Sequence, residues 1–318
     1  MVGYLLSFAV CFAAMPAVIG LSWRIGAVDT PRDWRRMHRK PTPRAGGVAL
    51  LFGFVVSCLS LVASSRSLRC ALVAGVLMLL LGLCDDIWPL DAWVKLFFQI
   101  AIAGAAVVGS GVTRPISILL SVLWVVTLCN AHNMIDGLDG LFGGCASIEG
   151  IALAIALWVT GEGGHAAVLL CLAGGCMGFL CFNRCPARIF AGDCGSGTVG
   201  FLLGLLSLPL MRQSGTGGVF PALLIFGYPL TDLLAAVVRR VLRGQSPFAA
   251  DRGHLHHRVC ATGMQVGGCV GVFWLISFSL SLLGVLLLNE HWLPLSSLVC
   301  MANACLLIAL RRFILKFS

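Results

Sequence analysis

N-A-H-N-M-I-D-G-L-D-G-L, from Asn130 to Leu141, places two asparagines and two aspartates between apolar runs at 115–129 and 143–160. Both runs suit burial in lipid. A carboxylate in or beside a membrane segment is costly, so it marks a site more often than a plain loop. The glycines after Asp136 and Asp139 point to tight turns. His132, alone inside the motif, reads as a hydrogen-bonding loop residue.

Composition extends that reading to the whole chain. Its 318 residues are 59% hydrophobic and 11% charged, against about 25% charged in soluble domains. Mean hydropathy is +0.97. The chain is read as an all-α, polytopic integral membrane protein forming one transmembrane domain over 1–318. The 38 glycines let helices approach closely. The 15 cysteines include no CxxC pair, and most sit in apolar runs, as Cys11, Cys58, Cys171, Cys176, Cys300 and Cys305 do. They read as small buried hydrophobes, not a disulfide framework. Tyr4 to Leu21 lacks a basic leader and a small-residue cleavage site, so it reads as a first span and not a removed signal.

A span needs about 20 mostly apolar residues. Eleven candidates fall near 4–22, 46–64, 70–84, 96–110, 115–129, 143–160, 166–182, 197–211, 219–238, 267–288 and 294–310. An odd number puts the termini on opposite sides. One set of loops carries 18 of the 22 Lys and Arg residues. By the positive-inside rule that set is cytoplasmic, the N-terminus periplasmic and the C-terminus cytoplasmic. The net charge of +9 is thereby explained by topology, with no nucleic acid implied. Asp85, Asp86, Asp91, Asp136, Asp139, Asp193 and Asp251 fall on that same side, which a cytoplasmic-face site demands and the charge rule does not. A transporter would place charges near mid-span and repeat them by internal symmetry. Here they are read as lying at span ends, with no second copy of any acidic motif.

Five cytoplasmic loops carry the polar residues, near 24–45, 85–95, 130–142, 183–196 and 239–265. The first, R-R-M-H-R-K-P-T-P-R-A-G-G (Arg35 to Gly47), is basic and non-helical, suited to a phosphate or to anionic lipid. The second pairs Asp85 with Asp86 at a helix end, with Lys95 at the start of the next span. Adjacent carboxylates repel unless a cation sits nearby, and such a pair binds a divalent ion or divides labour between two protonation states. In the third, Asn133, Asp136 and Gly137 offer hard oxygen ligands and a turn, which suits Mg²⁺ or Mn²⁺ over Zn²⁺. The fourth, F-A-G-D-C-G-S (Phe190 to Ser196), sets Asp193 between glycines just before an apolar helix, the outline of a diphosphate site. The fifth gathers Arg252, His254, His256, His257 and Arg258. It lacks the i, i+4 pair of a helical zinc motif, which favours phosphate or sugar recognition.

Taken together these motifs resemble the polyprenyl-phosphate N-acetylhexosamine-1-phosphate transferase family, its WecA type most of all, over nearly the whole chain. The resemblance rests on the Asp85–Asp86 pair with Lys95, on N-x-x-N-x-x-D-G-x-D-G-L from Asn130, on F-x-G-D-x-G-S from Phe190, and on S-P-F-x-x-D-R-x-H-x-H-H from Ser246 to His257. Cys194 stands where that family commonly has Ala, while the Asp, Gly and Ser are kept. The H-x-H-H form resembles the branch that uses UDP-N-acetylglucosamine, not the muramoyl-pentapeptide branch.

The resemblance implies transfer of N-acetylglucosamine 1-phosphate from UDP-GlcNAc to undecaprenyl phosphate, with release of UMP, the first step of O-antigen or other envelope polysaccharide synthesis. Another UDP-N-acetylhexosamine is the alternative donor. It implies Mg²⁺ (or Mn²⁺) held by Asn133 and Asp193, with Asp85, Asp86 and Asp193 catalytic. Lys95 is expected at a phosphate, Asp139 at the uracil, and Arg252, His254, His256 and His257 at the sugar. Asp136 is placed among the substrate-binding residues. The bacterial inner membrane is the expected location, the bilayer an expected partner, and a homodimer is allowed.

Overall fold

The computed structural model of the chain describes residues 1–30, 40–63, 65–213, 217–246, 254–289 and 292–303. They form an all-helical bundle: α1 (Val2–Ile25), α2 (Gly46–Val62), α3 (Arg66–Ile87), α4 (Ala92–Gly109), α5 (Pro115–Ile135), α6 (Leu141–Val159), α7 (Gly163–Asn183), α8 (Asp193–Met211), α9 (Val219–Ile225), α10 (Gly227–Leu242), α11 (Leu255–Cys260), α12 (Val266–Leu286) and α13 (Leu293–Asn303). Strands β1 (Val28–Asp29) and β2 (Thr42–Pro43) pair antiparallel, Val28 opposite Pro43, the one β element among the described residues.

Where it is described, each expected apolar run coincides with helix, but not always with a straight one. Eight described helices are long and apolar enough to cross a membrane. The run at 219–238 is not a single rod, because α9 and α10 meet at a bend of 80°. Pro229 has no N–H for the carbonyl of Ile225, one helical step of four earlier, and its ring crowds that carbonyl. The freed oxygen accepts instead from Ser281 Oγ of α12 at 3.1 Å. α2 is short for a span at 17 residues, and only part of the run at 294–310 lies within the described residues. All the described cysteines are free; Cys11, Cys58, Cys171 and Cys176 are buried as expected, whereas Cys300 is exposed on α13.

Helix boundaries reach further into the polar motifs than expected. α5 runs through Asn130, His132 and Asn133 to Ile135, since no Gly or Pro intervenes before Gly137. His132 is thus a helical core residue and not a loop residue. Asp85 and Asp86 occupy the last turn of α3, Lys95 the first turn of α4, and Asp193 is the first residue of α8.

α8 is buried along nearly its whole length and is wrapped by α2, α3 and α5. α1, α2 and α7 pack together on one side, and α6 and α12 close the other. Close approach at the start of α8 depends on glycine. A Cβ on Gly47 would strike the backbone of Gly195, and one on Gly82 that of Cys194. Backbone bonds fasten the entry to α2 onto the approach to α8: Phe190 N–H donates to Pro43 O at 2.8 Å, Gly46 N–H to Phe190 O at 3.0 Å, and Gly47 N–H to Ala191 O at 3.0 Å.

Because backbone and not a flexible side chain faces Gly47, Gly47→Ala is expected to lower thermal stability in detergent by about 1–3 kcal/mol, the usual cost of overpacking. Thermal unfolding followed by tryptophan fluorescence checks this.

Candidate active site

A buried helix start leaves four N–H groups without intrahelical partners. At α8 those of Asp193, Cys194 and Gly195 are accounted for. Asp193 N–H donates to Asp86 Oδ1 and Cys194 N–H to Asp86 Oδ2, each at 3.0 Å. Gly195 and Ser196 donate to Gly192 O at 3.0 and 2.9 Å. Gly192, the N-cap residue, sits at φ +71°, where a Cβ would run into Arg44 O and the Asp86 carboxylate. The cap is therefore a side chain borrowed from α3, whose charge complements the positive end of the helix dipole. Arg44 completes it, donating from Nε at 2.9 Å and Nη2 at 2.6 Å to Asp86 Oδ1. The Asp86 side chain is fully buried.

Asp85, its neighbour, faces elsewhere. It accepts from Leu90 N–H at 2.7 Å and from Lys95 Nζ at 3.0 Å. Lys95 reaches on to Asp193 Oδ2 at 3.2 Å, and Arg44 Nη2 lies 3.7 Å from Asp193 Oδ1. Asn133 Nδ2 also donates to Asp193 Oδ2 at 3.2 Å, while its Oδ1 accepts from Ser196 Oγ at 2.9 Å. Asp85, Asp86, Lys95, Asn133 and Asp193, drawn from three separate sequence motifs, are thereby brought to one point. Arg44 joins them from the basic loop.

Asp193, Asn133 and Arg44 form one wall of a cavity of about 850 Å³, which Lys40, Asp136, Asp139 and His257 also line. Asp136 is half-buried and opens onto the cavity. Burial pushes its carboxyl well above the ordinary range, and the charges of Asp193 and Asp86 push it further. Asp139 accepts from Ala187 N–H at 2.9 Å, tying the α5–α6 turn to the α7–α8 loop. Asn183 strengthens that tie, accepting from Gly140 N–H and donating to Ile189 O, both at 2.9 Å.

Of the described residues of the histidine loop, His257 lines the cavity and His254 and His256 do not. His254 Nδ1 lies 2.8 Å from Asp232 Oδ2, and Leu255 N–H donates to Asp232 Oδ1 at 2.8 Å. His256 is fully buried, and neither ring nitrogen has a hydrogen-bond partner among the described residues. Burial, with His257 beside it, pushes its pKa down to about 3, so the ring is neutral at physiological pH. Arg252 lies outside the described residues.

Two acidic residues escaped the reading by loops. Asp232, on α10, anchors the histidine segment, and Glu149, inside α6, is fully buried. The expectation that charges lie only at span ends therefore fails for Glu149. The signal was available: a lone carboxylate within an otherwise apolar run needs a partner. Among the described residues no three His, Cys, Asp or Glu side chains cluster to hold a metal ion. The oxygens suited to a hard cation are those of Asp193 and Asn133, which leaves ligand positions for water or phosphate.

The chain is similar to known proteins. Residues 68–211 match the family described as glycosyl transferase family 4. Over 92% of its length the chain is 32% identical to a probable undecaprenyl-phosphate N-acetylglucosaminyl 1-phosphate transferase of Bacillus subtilis, covering 87% of that protein. It is 36% identical to a decaprenyl-phosphate N-acetylglucosaminephosphotransferase of Mycobacterium tuberculosis, over 83% of this chain and 76% of the relative. It is 29% identical to an undecaprenyl-phosphate alpha-N-acetylglucosaminyl 1-phosphate transferase of Escherichia coli K12, over 85% and 79%.

Asp86→Asn turns one capping oxygen into a donor that faces N–H groups. It is expected to cost about 1.5–3 kcal/mol, the worth of charged hydrogen bonds, whereas Asp85→Asn keeps an acceptor for Leu90 and unfolds near the wild-type temperature. A second expectation concerns Asp136. A carboxyl whose folded pKa is raised costs stability as pH climbs from its unfolded value, about 3.9, through the folded one. Asp136→Asn should therefore stabilise the protein more at pH 8 than at pH 5, read from unfolding temperatures at both.

Proposed function

The chain belongs to glycosyl transferase family 4, and on that premise we propose that it transfers N-acetylglucosamine 1-phosphate from UDP-GlcNAc to undecaprenyl phosphate, releasing UMP. The observation that carries this reading is Asp193, held between Lys95 and Arg44 at the start of the most buried helix and facing a cavity of about 850 Å³. That volume suits a small ligand such as a sugar nucleotide. The curated relatives share N-acetylglucosamine in their names but differ in the lipid, undecaprenyl in two and decaprenyl in the third. The sugar phosphate is thus the better-supported half, and undecaprenyl phosphate is our choice of acceptor.

The described parts of the five polar loops meet at one end of the bundle, and the loops carry most of the basic residues, so we place the site on the cytoplasmic face, the N-terminus outside and the chain in the bacterial inner membrane. There an acceptor phosphate stays at the bilayer surface with its tail in lipid, and the donor arrives from the cytoplasm. The product would begin an envelope polysaccharide such as O-antigen.

Mg²⁺ fits the residues present. In the structure the Asn133 amide turns its nitrogen to Asp193 and its oxygen to Ser196. Ser196 Oγ also lies 2.9 Å from Gly192 O, which takes its single hydrogen equally well. The amide can therefore turn over, donating to Ser196 and presenting Oδ1 beside the Asp193 carboxylate. Two oxygens facing each other in that way call for a cation between them. A bound Mg²⁺ would neutralise charge on the donor diphosphate as the phosphoanhydride breaks.

An acceptor phosphate oxygen attacks the phosphorus that bears the sugar, and the bond to the UMP phosphate breaks with its electron pair leaving on UMP. The acceptor is mostly a dianion at pH 7, its second pKa lying near 6. Asp85 therefore acts by orienting Lys95 and the incoming phosphate, not by removing a proton. Lys95 binds phosphate, Asp139 and its loop receive the uracil, and the histidine segment with Arg252 reads the sugar. His257 meets the substrate, while Asp232 and His254 hold the segment in place. Asp86 acts through α8, which it caps.

The test uses purified protein in detergent, Mg²⁺, undecaprenyl and decaprenyl phosphates, and a panel of UDP-sugars. UMP release is expected with UDP-GlcNAc and to fall below detection for Asp193→Asn, which remains folded. No release with any sugar would defeat the enzymatic reading, and near-wild-type turnover of Asp193→Asn would defeat the metal assignment.

A further inference from the structure

Beneath the site, His132, Glu149 and Ser277 form a polar trio that the chemistry above does not use. His132 and Glu149 are fully buried, on α5 and α6, and Ser277 is buried on α12. His132 Nδ1 lies 2.9 Å from Leu128 O, a group that only accepts, so Nδ1 carries hydrogen. Nε2 lies 2.7 Å from Glu149 Oε2, and Ser277 Oγ donates to Glu149 Oε1 at 3.2 Å. One further hydrogen therefore sits between Nε2 and Oε2, and the pair as a whole is neutral. Phe142 and Phe226 stand edge-on to the imidazole, and α8 passes close by at Gly200, where a side chain would strike the His132 Cβ.

The location of the trio is informative. Asn133 follows His132 directly, and Ser196, which holds the Asn133 amide, lies one helical turn before Gly200 on α8. α12 donates from Trp274 Nε1 to Gly140 O at 3.2 Å, and its first residue, Val266, lines the cavity. The helices that meet at the trio thus carry the Asn133 amide, the Asp136–Gly140 turn and the far wall of the cavity. An apolar pair of similar volume would hold these helices at least as stably, since buried charged pairs contribute little net stability. Directional bonds add what apolar packing lacks, a fixed rotation of each helix about its axis.

We infer that His132, Glu149 and Ser277 are positioning residues for the transfer reaction, fixing the rotation of α5 and with it the Asn133 amide at Asp193. The inference rests on the transferase reading above.

Four variants test it, each read by UMP turnover, by Mn²⁺ affinity without substrates, and by unfolding temperature. Glu149→Gln keeps a hydrogen for Nε2 and an oxygen for Ser277, so it should stay within about threefold of wild type, the worth of one interhelical hydrogen bond in a membrane. Glu149→Leu should weaken Mn²⁺ binding and kcat by about tenfold, as loss of a residue supporting a metal ligand does, with donor KM unchanged. The double variant His132→Leu with Glu149→Leu should recover the unfolding temperature but not the Mn²⁺ affinity or turnover. Recovery of all three, or a Glu149→Leu protein with wild-type affinity and kcat, would overturn the inference. Where neither leucine variant folds, Ser277→Ala decides: weakening of Mn²⁺ binding by about threefold supports the inference, and wild-type affinity overturns it. A wild-type protein that released no UMP would defeat the transferase reading alone, because the Mn²⁺ comparison stands without it.

Discussion

The contact between the Asp86 carboxylate and the first N–H groups of α8 is the constraint around which the molecule is arranged. α8 is the most enclosed of the long helices, and its start is buried with it. In such a place no bulk water is at hand for orphan donors, and each left unmade costs on the order of 1–3 kcal/mol. Gly192 has no side chain to cap with, and its positive φ leaves room for one to come from outside. Asp86 reaches that spot because Gly82 on its own helix lets α3 lie backbone to backbone with Cys194. Arg44 offsets the buried charge, and the backbone bonds from Pro43 to Gly47 hold Arg44 there. The first loop, α3 and α8 are thus one structural unit, though they are distant in sequence.

That unit sets the electrostatics of the cavity wall. Asp85, Asp86 and Asp193 meet two cationic side chains, Arg44 and Lys95. Asp136 adds a carboxyl whose ionised form is disfavoured by burial and by the charges of Asp193 and Asp86. The group is one positive charge short of balance; on the proposed chemistry a divalent cation would supply that charge and one more for the donor diphosphate. In that reading the Asn133 amide, which faces Asp193 with its nitrogen, turns over to meet such a cation. A diphosphate brings the reverse charge, so cation and donor favour each other's binding.

Much of this was legible in the sequence. Long apolar runs punctuated by polar loops specify helices in lipid, because backbone groups there have to be satisfied within a segment. The loops announced themselves by carrying carboxylates, glycines and basic residues where apolar side chains would cost less. What stayed hidden was non-local or mid-helix. The bend between α9 and α10 follows from Pro229 and Gly227, yet the acceptor of the Ile225 carbonyl's new bond, Ser281, lies on another helix. His132 read as a loop residue because its helix was expected to stop at the first asparagine, but α5 continues as long as buried partners exist. Asn130 donates to Gln99 and His132 faces Glu149, so the polar stretch stays helical. Glu149 and Asp232 lie inside helices α6 and α10 and belong to no polar loop, yet a carboxylate in an apolar run is itself a signal.

Asp85 and Asp86 show why a motif names residues without naming roles. Neighbours on an α-helix project about 100° apart, since 3.6 residues make a turn. From the last turn of α3 one carboxylate must face α8 and the other α4. Asp86 meets the backbone of α8 and Arg44, and its oxygens are committed to holding a helix in place. Asp85 meets Lys95, a flexible amine that also touches Asp193. A lysine shared between two carboxylates can leave either one for an incoming phosphate, whereas a cap cannot let go without loosening the helix that carries Asp193. On the proposed chemistry the adjacent pair divides into a residue that builds the site and a residue that responds to the ligand.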